Sequence, residues 1–308
     1  MWFFLAFYLS CSSHNENSNT DVIDNRWTAK EGILSIQDYP LSGLPLQDVL
    51  SQQKSNSLRI LHLERTELVI NDILNLVRAS SVQKLQILSL KHNPIENRGV
   101  EFIANSNMMT TLQELNLHST SISNRGLSHL LNNKNFKITK LVLSNNSFHS
   151  SIIEILSNNK TLKYIDLSNC KLTDGASALF LSRTSAKTVK LNQNDIGFPP
   201  EISPTVTELH LNEARLDDAQ LLAFSKIEAK GLKILSLGRV YITNETLIAL
   251  THAPWFKQLE SLAFNPKNQS DEEIETFSKA YGKHRWLKIV TPPIPSPKLE
   301  KDTAEEEE

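Results

Sequence analysis

From Leu58 the chain reads LRILHLERTEL, with apolar residues at places one, four, six and eleven. The same frame returns as LQILSLKHNPI from Leu85, LQELNLHSTSI from Leu112, ITKLVLSNNSF from Ile138 and LKYIDLSNCKL from Leu162. It continues as AKTVKLNQNDI from Ala186, VTELHLNEARL from Val206 and LKILSLGRVYI from Leu232. Degenerate copies open at Glu31 (EGILSIQDYPL) and Leu259 (LESLAFNPKNQ), and WLKIV at Trp286 keeps the register. Successive openings lie 27, 27, 27, 26, 24, 24, 20, 26, 27 and 27 residues apart. Alternate inward residues at places four and six predict a short strand in every copy. A near-constant period predicts that each strand stacks beside the last.

Between strands the pattern changes to helical spacing. NRGVEFIANS follows Ile95, NRGLSHLLNN follows Ile122, DGASALFLSR follows Leu172 and DDAQLLAFSK follows Leu216. Each opens on Asn or Asp, a helix-capping residue, before apolar positions that pack on the strand layer. Gly99, Gly126 and Gly175 fall where a side chain is expected to crowd the approach of helix to strand. The 20-residue copy from Ala186 continues GFPPEISP, and Pro199, Pro200 and Pro204 forbid a regular helix. An extended or 3-10 segment is expected there. Place nine must satisfy backbone groups where the chain leaves the strand, and it reads Thr66, Asn93, Thr120, Asn146, Cys170, Asn194, Ala214 and Val240.

This frame resembles the leucine-rich repeat family, whose motif is LxxLxLxx(N/C)xL, from about Glu31 to Val290. The alternation of strand and helix is most similar to the ribonuclease-inhibitor-like subclass. The resemblance implies an α/β solenoid, a horseshoe with a parallel sheet on its concave face and helices or 3-10 turns on the convex face. It also implies a non-enzymatic protein-binding scaffold. Ala214 and Val240 depart from the place-nine pattern and imply a turn satisfied in some other way.

Outward residues at places three and five then become the candidate partner-binding residues. They are Glu114 and Asn116, Lys140 and Val142, Tyr164 and Asp166, Thr188 and Lys190, and Glu208 and His210. Strands about 4.8 Å apart would merge them into one patch, with Tyr164 as its aromatic anchor. His62, His92, His118 and His210 share that face, where His92 and His118 of adjacent repeats are either a metal pair or plain exposed polar positions. Without an evident acid or thiol to complete a shell, no metal and no cofactor is expected. No Walker loop, GxGxxG, HExxH, CxxC or GxSxG occurs, and the repeats leave no room for a catalytic domain.

Composition alters this picture mainly at the ends. The formal charge of −2 conceals a tail, Pro292–Glu308, with two lysines against six carboxylates. The body is left mildly basic, without the Lys/Arg run that marks a nucleic-acid stripe, so no nucleic-acid partner is expected. PPIPSP followed by KLEKDTAEEEE predicts a stiff exit and a disordered tail over 292–308. The leader MWFFLAFYLSC, followed by the polar SSHNENSNTD, resembles a bacterial lipoprotein signal. That resemblance implies acylation of Cys11, a tether through residue 27, a solenoid over 28–291 and a lipid-anchored place in the bacterial cell envelope. An unlipidated signal peptide and a cytosolic inhibitor or adaptor without membrane attachment stay open beside it. Cys170, inside the ladder, is expected to be a buried structural thiol.

Overall fold

The computed structural model describes residues 27–264, together with Ser270 and Glu272. The leader with Cys11, the WLKIV copy at Trp286 and the tail over 292–308 lie outside the described residues. The strands are β1 (Trp27–Lys30), β2 (Ile33–Gln37), β3 (Ile60–Glu64), β4 (Ile87–Ser89), β5 (Glu114–Asn116) and β6 (Lys140–Val142). They continue as β7 (Tyr164–Asp166), β8 (Thr188–Lys190), β9 (Glu208–His210), β10 (Ile234–Leu237) and β11 (Ser261–Phe264). All eleven form one sheet in chain order, and β2 to β11 run parallel. The first strand was not foreseen. It pairs antiparallel with β2, Trp27 opposite Ile36, and so starts at the residue assigned to the end of the tether.

The helices are α1 (Leu44–Ser51), α2 (Ile70–Arg78), α3 (Glu96–Ala104) and α4 (Asn124–Leu131). After them come α5 (Ser150–Ser157), α6 (Asp174–Arg183), α7 (Asp218–Phe224) and α8 (Asn244–Thr251). Each sits between two strands, as the change of period requires. The core lies between the layers. Leu61, Leu88, Leu115, Leu141, Ile165, Val189 and Leu209 at place four are buried, as are Leu63, Leu90, Leu117, Leu143, Leu167, Leu191 and Leu211 at place six. Full burial of each such side chain contributes roughly 1.5–3 kcal/mol. Strands repeat at about 4.8 Å whereas packed helices need 8–10 Å, so the stack curves with the sheet inside.

Capping differs from expectation. Asn97 and Asn124 do not cap their own helices. The Asn97 Oδ1 accepts from the backbone N–H of Ser123 (2.9 Å) and Gly126 (3.0 Å), closing the start of α4 one repeat later. Asn124 Oδ1 likewise accepts from His149 N–H, before α5. Asp217 does cap its own helix, accepting from Gln220 N–H. A solenoid offers each helix start a neighbour at fixed distance, and that neighbour competes with local capping. Crowding holds at Gly99 and Gly126, where a Cβ would come within 2.9 Å of Ile95 and 2.8 Å of Asn97. It does not hold at Gly175, where nothing lies within 4 Å.

The proline-bearing copy has no helix, as its sequence requires. Ile202 donates to Glu228 O and Glu228 donates to Pro200 O, an extended pairing in place of a helical turn. Phe198 fills the vacated space, stacked on Phe224 at 4.3 Å between centroids, and Phe224 meets Trp255 at 4.6 Å.

Candidate partner-binding face

The register aligns Glu114, Lys140, Tyr164, Thr188 and Glu208 as one row across β5–β9. A second row holds Asn116, Val142, Asp166, Lys190 and His210. Every expected patch residue therefore falls on the open sheet face, opposite the helices. Lys140 is exposed and the others are half-buried between their neighbours.

Lys140 Nζ pairs with Glu114 Oε2 at 2.9 Å, and Thr188 Oγ1 donates to Glu208 Oε2 at 3.2 Å. Lys140 and Lys190 both lie over the Tyr164 ring, 5.6 and 5.4 Å from its centroid. Such contacts are worth about 0.5–1 kcal/mol at exposed sites. Tyr164 is thus braced by its own neighbours and offers a partner little free ring face to stack on. Burial lowers the Lys190 pKa, but the Tyr164 hydroxyl and the Asp166 and Glu208 carboxylates raise it by more, so its charge is secure.

Places seven and eight are as regular as the strands they follow. Place eight is left-handed in every repeat from β2 to β10: Asp38, Arg65, His92, Ser119, Asn145, Asn169, Gln193, Glu213 and Arg239, with φ between 50 and 59°. None is glycine, and the conformation costs an L-residue roughly 1–2 kcal/mol. It is offset by a ladder beyond the strands, in which place-eight N–H groups donate to the place-seven carbonyl of the next repeat, from Asp38 to Glu64 through Glu213 to Gly238. The exposed side chains then bond in a string. Asn169 donates to Asn145 Oδ1 (2.9 Å), and Gln193 and Arg239 converge on Glu213 (2.8 and 2.9 Å). Beside them Asn116, Ser144, Asp166, Ser168, Asn192 and Asn212 line a depression of about 510 Å³.

His92 and His118 do meet, ring edge to ring face, at 4.7 Å. His118 Nδ1 lies 2.7 Å from Ser144 Oγ and its Nε2 3.3 Å from Asn145 Nδ2, so both ring nitrogens are engaged by neutral groups. Among the described residues no three His, Cys, Asp or Glu side chains cluster as a metal site. Burial, then the neighbouring His92 and Lys91, lowers the His118 pKa. Burial, then Lys190, lowers that of His210. Both rings sit neutral on the face at pH 7.

Beneath the face runs the place-nine ladder. Asn93 Oδ1 accepts from Thr66 N–H (3.1 Å) and Leu68 N–H (3.0 Å), while its Nδ2 donates to Leu63 O and Leu90 O. Asn146 serves Thr120 and Ile122 in the same way, and Asn194 serves Cys170 and Leu172. One amide therefore satisfies two turns, which is why Asn alternates with the smaller Thr and Cys. Cys170 is fully buried, donates to Leu143 O at 3.3 Å, and has its pKa pushed up to about 12 by burial. Past Asn194 the buried amide ladder ends, and on the sheet face Asn212 Oδ1 accepts from Gly238 N–H and Ser236 Oγ. The turns at Ala214 and Val240 close on backbone carbonyls instead, with Ala214 N–H donating to Leu211 O, Leu216 N–H to Ala214 O and Val240 N–H to Leu237 O.

The Leucine Rich repeat family model matches residues 83–104 and 158–180. Those segments are leucine-rich repeats. The other turns share their register in one leucine-rich-repeat solenoid. Among solved structures the chain is similar to an internalin C2 from Listeria monocytogenes, at 23% identity and TM-score 0.45, over 67% of this chain and 80% of that one. It is also similar to an internalin from the same organism, at 15% identity and TM-score 0.41, over 84% and 80%. No curated protein matches. Among the described residues no helix is long and apolar enough to cross a membrane.

Proposed function

We propose that this protein is a non-enzymatic scaffold that holds a protein partner on the open sheet face of β5–β9, and that the chain is anchored to a bacterial envelope membrane through Cys11. The observation carrying the first part is the row from Glu114 to Glu208, cross-linked by an ion pair, a hydrogen bond and two cation–ring contacts over rigidly registered strands. A preorganised surface loses little side-chain entropy on binding. A standard interface of about 800 Å² per partner fits within a few adjacent strands of this sheet. With Tyr164 braced by lysines, recognition rests on hydrogen bonds and charge from Glu114, Asp166, Lys190 and Glu208, with the Tyr164 hydroxyl among them. Among the described residues, a helix follows the strand of each repeat from Glu31 to Leu232 except the one from Ala186, which supports the ribonuclease-inhibitor-like subclass.

The test of the face is the affinity of an isolated partner for the wild type and for Tyr164→Ala with Lys190→Ala. Weakening by at least about 30-fold, the size of a hot-spot loss near 2 kcal/mol, supports the assignment. Equal affinities refute it. The anchor rests on the leader MWFFLAFYLSC and is tested by labelling with a palmitate analogue. Label that disappears in Cys11→Ala is expected, and equal label in both forms contradicts acylation at Cys11.

A further inference from the structure

Eight loops return a helix to the next strand, and together they hold twelve Lys and Arg residues against two carboxylates, Glu228 and Glu260. The eight turns that lead from a strand into a helix hold five cations against four carboxylates. Because β2 to β11 are parallel and in chain order, every return loop lies on one edge of the sheet and every outgoing turn on the other. One edge is strongly positive and the opposite edge nearly neutral. These cations are scattered along the sequence, which is why no basic run was visible; the repeat collects them.

Eleven of the twelve are lysines, all exposed. Among the described residues only Lys230 and Lys233 of this set form ion pairs, with Glu201 and Glu260. Lys134, Lys137, Lys160, Lys163 and Lys187 occupy three consecutive loops that contain no acid. Helix ends attract cations, but that effect fades within the last turn. Eight of the twelve lie four or more residues past the end of their helix, too far for the helix dipole to account for them.

We propose that this edge docks on an anionic lipid bilayer. The loops span β3 to β11, a line of roughly 40 Å at about 4.8 Å per strand, suited to a planar array of headgroup phosphates. Lysine supplies mobile point charges and lacks the planar fork that reads phosphates or base edges in pairs. Among the described residues the exposed large apolar side chains, Val69, Ile155, Tyr241 and Ile248, all lie outside these loops, which therefore offer no fully exposed ring for nucleic-acid bases to stack on. Nor, among the described residues, does a helix or a two-stranded ribbon project from it to enter a duplex groove. Contact by this edge stands the sheet on the membrane and leaves its open face free, independently of Cys11.

The test is co-sedimentation of the full-length Cys11→Ala chain with vesicles of equal parts phosphatidylglycerol and phosphatidylcholine, or of phosphatidylcholine alone. Binding to the anionic vesicles only is expected, and it should be lost as salt shortens the screening length to about 3 Å near 1 M. Replacing Lys134, Lys137, Lys160, Lys163 and Lys187 by Gln should lower partitioning by roughly fivefold per lysine. Lys91→Gln with Lys171→Gln, on the opposite edge, should leave it unchanged, as should the Tyr164 variant. Equal binding to both vesicle types, or equal losses from both edges, overturns the proposal. So does displacement of the protein from the vesicles by an equal phosphate concentration of duplex DNA, which would assign the edge to nucleic acid.

Discussion

Asn93, Asn146 and Asn194 each hold two turns with a single buried amide, so the consequence of losing one is specific. Asn194→Ala leaves Cys170 N–H, Leu172 N–H, Leu167 O and Leu191 O without their partner. Stranding buried backbone groups costs about 1–3 kcal/mol each, so a fall of at least about 3 kcal/mol in unfolding free energy is expected by urea titration. A fall below 1 kcal/mol would show that the turns relax onto water. Cys170, with its thiol pushed up to about 12, should resist alkylation in the native chain at pH 8 and react only after unfolding. The histidines on the sheet face give a pH dependence. His118 and His210 titrate below their ordinary value of 6.5, so the folded chain binds fewer protons than the unfolded one as pH falls. Stability is complete above 6.5 and declines as pH drops through that value toward the folded pKa. His118→Gln should flatten this decline in urea midpoints; an unaltered slope would place the effect elsewhere. The place-nine residues were legible in the sequence because their spacing is fixed. Which amide serves which turn was not, because the partners lie 22 to 27 residues away.

At the scale of elements, period decided nearly everything the sequence revealed. Ten parallel strands follow from the eleven-residue frame, and the helixless copy follows from three prolines. The capping partners of α4 and α5 did not follow, because a neighbouring repeat outcompetes the local side chain. Strand β1 was illegible for another reason: it precedes the first copy of the frame and is a hairpin closing the end of the sheet. Glycine positions separate local from tertiary causes. A Cβ on Gly197 would lie 2.4 Å from Asp174 O, whereas one on Gly175 would meet nothing within 4 Å. Gly197→Ala should lower the melting temperature, while Gly175→Ala, inside α6, should raise stability by about 0.5–1 kcal/mol. Opposite signs in a thermal melt support this packing; two changes of the same sign contradict it.

Across the whole molecule, one sheet carries two surfaces of different chemistry. Its open face is polar and cross-linked from Glu114 to Glu208, and its return-loop edge is basic. The face was legible residue by residue, since places three and five point outward in any such strand. The edge was not, because its charges are spread from Lys54 to Lys257 and only the parallel order unites them. The left-handed row at place eight was equally hidden, since Arg, Gln and Glu there carry no turn signature. The central claim is that a partner sits on the sheet face, and site-specific photo-crosslinking tests it most directly. A photoreactive group at Thr188 should join the partner covalently, and the same group at Ile155 or Ile248 on the helices should not. Adducts from Ile155 or Ile248 with none from Thr188 would place the partner on the convex side and contradict the account.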